Sequence, residues 1–326
     1  MNKVMTSGKA IWRKPNEQIF YTIASGVGDD EFLIAPFIKS ENIFKINGRI
    51  TKANTDNIDS FFLDMNLRKS ASQHSTLETH YTDTVQKAVE AIKHDRFEKV
   101  VIARQLFHEG AINISLLYQQ LAAHYPSAFV YCFYLENGQC MIGATPETLL
   151  RGSDKELYTE ALGGTNQSYG FSSKEYKEHE QIITDISNKL KQLSYDYKTG
   201  ETAQKNAGNV THLATPITIT GKNESSDNIL LNLLHPTSAV CGLPFVDALQ
   251  FILSNEDFQR HFYTGYLGIK TQESFAYFVN LRCAEIFSDG ACLYAGAGIN
   301  RDSIASDEWT ETNEKIATLL HFFKTN

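Results

Sequence analysis

Strand-like runs in this chain come in clusters, with helical stretches between the clusters rather than after each strand. Residues 17–46 hold three short runs, EQIFYTI, EFLIAPF and ENIFKI, separated by Gly, Asp, Lys and Ser. KVVIARQLF (99–107) reads as a strand. SAFVYCFYLE and QCMIGAT flank Asn137-Gly138, a dipeptide suited to tight hairpins. ETLLRG and ELYTEALGG follow, joined at Ser153-Asp154, and THLATPITITG is β-like. Near the end HFYTGYLGIK, SFAYFVNLRCAEIF and ACLYAGAGI read as three long strands. Helical periodicity is strongest from Leu77 to His94, where Val85, Ala88, Val89 and Ile92 share a stripe. Further helices are expected at 113–124, closed by Pro126, and at Ser173–Leu193, capped by Ser172-Ser173. NILLNLLHP, FVDALQFIL and Ser306–Phe323 complete the set. Without regular βαβ alternation the chain is expected to be α+β with a largely antiparallel sheet, not a doubly wound fold. Residues 47–75 are polar and read as an irregular connection. No linker divides the chain, so 1–326 is expected to form a single unit.

Composition narrows the function classes. With 326 residues and 42% hydrophobic content, the chain can bury a sizeable core. A net charge of -8 with no Lys/Arg cluster argues against nucleic-acid binding, though a local basic pair could still hold a small anion. No apolar run reaches the roughly 18 residues of a membrane span, and the first residues lack the apolar core of a signal peptide. The five cysteines are widely spaced with no CxxC, which argues against a disulfide framework or a zinc site. These features predict a reduced, cytoplasmic location.

Several residues could carry chemistry. In GAGINRDSIASDEWTETNEK, Glu308, Glu311 and Lys315 are spaced three and then four apart, on one face if the segment is helical. Two carboxylates and an ammonium there could hold a divalent metal beside an anion, although a solvated Glu311–Lys315 pair explains the spacing too. Lys99 opens the VVIA strand: it is either a solvent-facing strand end or, in an apolar cleft, a base. Glu147, after Thr145-Pro146, is either a turn carboxylate or an acid with a raised pKa. The adjacent glycines of ALGGT (161–165) suit unusual backbone angles or a close ligand, or a plain bulge. KEHEQII places Glu175, Glu178 and His179 at a helix start without HExxH, and oxygen ligands such as Glu178 and Glu311 suit Mg²⁺ rather than Zn²⁺. His235 precedes Pro236 at a helix end, where a cap or core histidine is as good a reading as a functional one. Arg282 interrupts an apolar strand and needs an anionic partner, which makes it a carboxylate-binding candidate.

Taken in order, KVVIAR, IGATPETLL, ALGGT, the KEHE helix, THLATPI, LLHPTSAVCGLP, FYTGYLG, NLRCA, AGAGI and EWTETNEK resemble the chorismate-utilising enzymes: the isochorismate, salicylate, anthranilate and aminodeoxychorismate synthases. The resemblance covers about residues 80–326. Residues 1–75 carry no recognised motif and look short for the family, leaving 76–326 as the chorismate-binding core. The resemblance implies an anthranilate synthase component I-like fold, with a two-layered β core, outer helices and a central active-site cleft. It implies Mg²⁺ bound by Glu178 and Glu311 against the substrate's ring carboxylate, with Glu308 supporting the metal through water. Arg282, Tyr263 and the backbone near Gly298 would hold the enolpyruvyl carboxylate, with Lys315 adding positive charge. Thr165 and Gly164 would line the ring-carboxylate pocket, and His235 would lie close to the ring.

Two positions select among the synthases. Ammonia-using members have Gln where this chain has Lys99, and water-using members have Lys as the base. Aminodeoxychorismate synthase has a nucleophilic Lys where this chain has Gly163. The usual residue there in the water-using group is Ala, so Gly163 is expected to loosen the pocket. The expectation is therefore an isochorismate synthase: Lys99 activates water for attack on C2 of chorismate, and Glu147 protonates the departing C4 hydroxyl. Salicylate synthase is the nearest rival, and an anthranilate-type synthase or a non-catalytic chorismate-binding protein ranks lower. Chorismate is the expected small-molecule partner, with no glutaminase subunit, and the resemblance implies a monomer.

Overall fold

The computed structural model describes residues 3–53, 58–153, 156–166, 170–207, 210–220 and 226–323. The first third of the chain contains β1 (Lys3–Met5), β2 (Gly8–Arg13), β3 (Phe20–Ala24), β4 (Asp30–Ala35), β5 (Ile43–Gly48), β6 (Thr51–Ala53), α1 (Ile58–Phe61), α2 (Glu78–Lys93) and β7 (Lys99–Glu109). The middle contains α3 (Ile114–His124), β8 (Phe129–Leu135), β9 (Cys140–Thr145), β10 (Thr148–Ser153), β11 (Leu157–Asn166), α4 (Ser173–Gln192), β12 (Asp196–Thr199), β13 (Ala203–Ala207) and β14 (Val210–Thr220). The last third contains α5 (Ser226–Leu234), β15 (Gly242–Leu243), α6 (Phe245–Asn255), β16 (Tyr266–Lys270), β17 (Ser274–Val279), β18 (Cys283–Phe287), β19 (Gly290–Ile299) and α7 (Ala305–Phe323).

Among the described residues these strands form two sheets. One runs β1-β5-β4-β16-β17-β10-β11-β14-β12, with β13 also on β14, and the other runs β15-β7-β19-β18-β9-β8-β2-β3-β6. Among the described residues only β1 and β5 pair in parallel. The α+β, largely antiparallel expectation therefore holds.

Strand β8 shows how the layers form. All seven of its residues are buried, and the two faces enter different cores. Val130, Cys132 and Tyr134 pack with Leu117, Leu121 and Leu319 from α3 and α7. Phe129, Tyr131 and Phe133 pack with Phe262, Phe278 and Phe32 between the sheets. The Phe129 and Phe278 rings stack at 4.2 Å, joining the layers directly. On the outer face of the other sheet, Ile182 and Ile186 of α4 and Leu230 of α5 meet Ala161 and Ile217. Helix α2 buries Val85, Ala88 and Ile92 of the apolar stripe read from the sequence, together with Tyr81, whereas Val89 is half-buried.

Three expectations change. SFAYFVNLRCAEIF is not one strand: β17 lies in the first sheet and β18 in the second, and residues 280–282 carry the chain across. Asn280 fastens this crossover. Its Nδ2 donates to the Phe262 carbonyl at 2.8 Å, and its Oδ1 accepts from the Tyr131 hydroxyl. Arg282 then takes a left-handed φ of 49°, so it sits at a break between strands rather than inside one. HFYTGYLGIK likewise yields strand only from Tyr266, because His261 and Thr264 have φ of 47° and 59°. Finally, the N-terminal portion is woven into both layers: β4 pairs with β16, and β2 with β8. Within 47–75 the chain forms β6 and α1 rather than a wholly irregular connection. The turn position Asp154 and the strand end Gly221 lie outside the described residues. No helix of the described residues is long and apolar enough to cross a membrane.

Gly242 connects the fold to the cleft. It has φ +142°, and β15 pairs it with Val100. An added Cβ would overlap the Lys99 carbonyl oxygen and lie 2.7 Å from the Ala248 Cβ. Gly242→Ala is therefore expected to cost about 1–3 kcal/mol, read as a lower urea midpoint at unchanged slope. An unchanged midpoint would show that the β15–β7 contact yields freely.

Candidate active site

A cleft opens between the two sheets. It is lined by Val101 of β7, Glu147, Leu162, Gly163 and Gly164 of β11, Glu178 and Ile182 of α4, His212 of β14, Tyr263, Arg282, Gly298 of β19, and Glu311 and Lys315 of α7. Eight of the expected site residues thus line one cleft: Glu147, Gly164, Glu178, Tyr263, Arg282, Gly298, Glu311 and Lys315.

Lys99 takes a more particular place than expected. Its side chain is 3% exposed and Nζ is 2.7 Å from Glu178 Oε1. It lines a second, outer cavity with Arg96, Lys177 and Arg301, and Glu178 lines both cavities. The ion pair therefore stands between the two. Gly298 lies against it, because an added Cβ would be 3.0 Å from both Glu178 Oε1 and Lys99 Cε. Removing Glu178 alone would leave a buried ammonium without its partner, an arrangement costing several kcal/mol by rough analogy.

Glu147 is 5% exposed, just ahead of β10. Its carboxyl has no hydrogen-bond partner among the described residues. Burial, then repulsion from Glu160, pushes its pKa up to about 8, against the opposing pull of Lys205 and Lys99. It is therefore an acid that keeps its proton near neutral pH. Arg282 shares the cleft. Among the described residues its guanidinium has neither a hydrogen bond nor an ion pair, and burial lowers its pKa while Tyr125, Tyr263 and Glu311 oppose that shift. A half-buried cation with no anionic partner at hydrogen-bond distance among the described residues fits a ligand carboxylate. Tyr263 is held by stacking on Tyr294 at 5.2 Å. Lys315 bonds the Gly296 carbonyl at 2.8 Å and Glu311 at 2.6 Å, the i,i+4 pair expected on α7.

The two glycines of ALGGT have distinct causes. Gly164 has φ +62°, and an added Cβ would be 2.9 Å from the Glu175 carbonyl oxygen. The β11–β14 register shifts here, between Gly163 and Thr165. At Gly163 an added Cβ would overlap Ile182 of α4. The space expected to loosen the pocket is thus filled by Ile182. The backbone of Thr165 pairs with His212, and its side chain lies outside the described residues.

Besides Lys99, two more expected residues do not line the cleft. His235 is 1% exposed, bonds the Pro36 carbonyl at 3.0 Å and packs edge-on to Tyr266. Burial lowers its pKa to about 3, so it is a neutral core histidine rather than a residue beside the ring. Glu308 is buried within electrostatic reach of Tyr81. The histidine in the cleft is His212, whose pKa burial depresses strongly, helped by Arg282, Lys315 and Lys205. In THLATPI it is one polar residue of a β-like run, with nothing in its spacing to mark it.

The donors fit a hard divalent cation. Glu178 and Glu311 present carboxylate oxygens to one cleft, and each already accepts a cationic partner, Lys99 or Lys315. Among the described residues no group of three or more His, Cys, Asp and Glu could hold a metal. Mg²⁺ ordinarily takes one or two protein carboxylates and completes its shell with water and substrate, so two suffice.

Glu147 should appear in the pH dependence of stability. Its pKa rises from 4.5 to about 8 on folding, so between those values the folded state holds a proton that the unfolded state has lost. That contribution is complete below pH 4.5 and is lost as pH rises through 8, with a slope of at most about 1.4 kcal/mol per pH unit. Glu147→Gln should therefore gain stability relative to wild type between pH 5 and pH 8 in urea unfolding. A constant difference would mean that Glu147 is ionised in the fold.

Comparison with known proteins agrees with this geometry. Residues 36–324 match the model of a family described as chorismate binding enzyme. Isochorismate synthase MenF of Escherichia coli (strain K12) is 32% identical over 270 residues, 78% of this chain. The match spans 62% of that relative's length. The crystal structure of DhbC from Bacillus anthracis superposes with a TM-score of 0.83 at 23% identity, covering 98% of this chain and 97% of that one. Anthranilate synthase component I from Streptococcus pneumoniae superposes at 0.68 and 18% identity, covering 96% and 80%. The fold is therefore the one shared by these proteins, and the chain belongs to the chorismate-binding enzyme family.

Proposed function

We propose that this protein is an isochorismate synthase, converting chorismate to isochorismate by adding water at C2 and releasing the C4 hydroxyl. The observation that carries the reading is the joint presence, in one cleft, of a protonated acid, Glu147, and an unpartnered cation, Arg282, beside the Lys99–Glu178 pair. The similarity to MenF supports it.

Chorismate carries two carboxylates. Arg282, with Tyr263 and the backbone at Gly298, would receive the enolpyruvyl carboxylate, and Lys315 would add positive charge nearby. Gly164 and Thr165 would border the ring carboxylate. Glu178 and Glu311, supported by Glu308, would hold Mg²⁺, which when bound would supply positive charge for that carboxylate. Lys99, after passing its own proton to solvent, would accept a proton from water while the water oxygen bonds to C2. The ring double bond shifts, the C4–O bond breaks, and Glu147 gives its proton to the leaving oxygen. One water enters and one leaves, so the substrate is isomerised with no net change in atoms. Lys99 ends protonated and Glu147 ionised, and exchange with solvent resets both. Much of the acceleration would come from orientation and fixed charge.

Lys99 stands where an ammonia-using synthase would carry Gln, so no glutaminase partner is proposed. All five cysteines are buried and unpaired, which supports a cytoplasmic setting.

The test resolves the products of purified protein and chorismate by chromatography, with pyruvate followed by lactate dehydrogenase. Isochorismate should accumulate without stoichiometric pyruvate. EDTA should stop the reaction and Mg²⁺ restore it, whereas Lys99→Ala should remain inactive with Mg²⁺ present. Pyruvate and salicylate formed together at the rate of chorismate loss would replace this reading with a salicylate synthase. No consumption of chorismate would leave only binding.

A further inference from the structure

Next to the cleft lies a charge pair that the proposed reaction does not use. Lys205 Nζ and Glu160 Oε2 are 2.5 Å apart, with side chains 26% and 10% exposed. Glu160 also accepts from the Tyr158 hydroxyl at 3.2 Å, and the Arg151 guanidinium covers that tyrosine ring at 4.0 Å. Side chains alternate across a strand, so Glu160 shares a face of β11 with Leu162, a cleft-lining residue. Lys205 of β13 lies opposite His212 of β14, and Glu160 opposite Pro216. The pair thus spans β14 on the face that carries His212 into the cleft, and the residue between His212 and Pro216 on that face is the small Ala214.

We propose that the Glu160–Lys205 ion pair is a positioning pair for the acid Glu147, fixing through space the charge that Glu147 faces. This rests on the reading of Glu147 as the proton donor. Both members act on Glu147 with opposite signs: Glu160 opposes its ionisation, whereas Lys205 favours it. The other groups around the acid are Lys99 on β7, Glu175 and Glu178 on α4, and His212 on β14. Arg282 at the crossover and Glu311 and Lys315 on α7 complete the ring. Of these, His212 also feels Lys205, whose charge adds to the burial that keeps it neutral. Tethering to Glu160 holds the Lys205 ammonium away from the cleft, where a loose cation would draw the proton off Glu147. The pair thereby protects the donor state that a leaving hydroxyl requires.

Neutralising either member should shift Glu147 in opposite directions. Glu160→Gln removes a repelling charge and frees Lys205, so the alkaline limb of kcat/KM should move down by about half a pH unit or more. Lys205→Met removes an attracting charge, so the limb should move up by a similar amount. Lys205→Arg should leave it in place. The Glu147 carboxyl is followed in parallel by ¹³C NMR titration of glutamate-labelled protein, assigned by loss of its signal in Glu147→Gln. Thermal unfolding confirms that each variant is folded. A merely structural pair would lower Tm in both variants and leave the limb still, or move it one way in both, and either result overturns the proposal. Lys205 is on β13, which among the described residues pairs only with β14, so Lys205→Met decides the matter if Glu160→Gln does not fold. Should the wild type fail to convert chorismate, the functional reading falls, while the ¹³C titration still shows whether the pair sets the proton on Glu147.

Discussion

The hydrogen bond from the Tyr131 hydroxyl to Asn280 Oδ1 is the joint on which the site depends. It lies between the layers, where the chain leaves β17 in one sheet for β18 in the other. A crossing segment gives up ladder partners, and a buried polar group left without one costs about 1–3 kcal/mol. Asn280 meets that demand by also donating to the Phe262 carbonyl. Two residues on, Arg282 lines the cleft instead of lying on a continuous strand. The cation proposed to bind substrate is thus a product of the sheet-to-sheet crossing.

A second buried pair shapes the opposite wall. Arg260 and Glu256 are joined side by side, each side chain 2% exposed. Arg260 donates to the carbonyls of Val101 and Val240 at 2.7 and 2.8 Å, and Glu256 accepts from the Ala103 backbone at 2.8 Å. Val101, Val240 and Tyr263 all line the cleft. Breaking such a pair by removing one partner strands the other charge, so the wall is held by geometry that tolerates little change. Within it the charges are unequal: Lys99, Glu178, Glu311 and Lys315 are neutralised in pairs, whereas Arg282 awaits an anion and Glu147 keeps its proton. That inequality is what a dianionic substrate with a leaving hydroxyl needs.

Much of this is legible in the sequence, for physical reasons. Charged residues in apolar runs, such as Lys99, Glu147 and Arg282, are costly unless used, and motifs in a fixed order suggest their roles. Helix periodicity puts Glu311 and Lys315 on one face, and they do pair. The errors concern contacts between distant segments. Gly163 reads as open space because Ile182, which fills it, lies on the following helix. His235 and His212 are both polar residues among apolar neighbours. Only the fold shows that one bonds the Pro36 carbonyl while the other faces the cleft. The break after Val279 is hidden because both halves of SFAYFVNLRCAEIF are strand-like, and Asn280 and Arg282 are the polar signals within it. Nor does local pattern reveal that β2 and β4 join different sheets, since register comes from partners far away in sequence.

The central claim is that this cleft adds solvent water to C2 of chorismate while Glu147 releases the C4 oxygen as water. Reaction of the Mg²⁺-loaded protein with chorismate in H₂¹⁸O, with the product fragmented by mass spectrometry at early conversion, tests it most directly. The expected product is isochorismate carrying one ¹⁸O, located in the hydroxyl at C2. Product that retains the original chorismate oxygen at C2 would contradict the claim, because the hydroxyl would then have migrated without water being activated at Lys99.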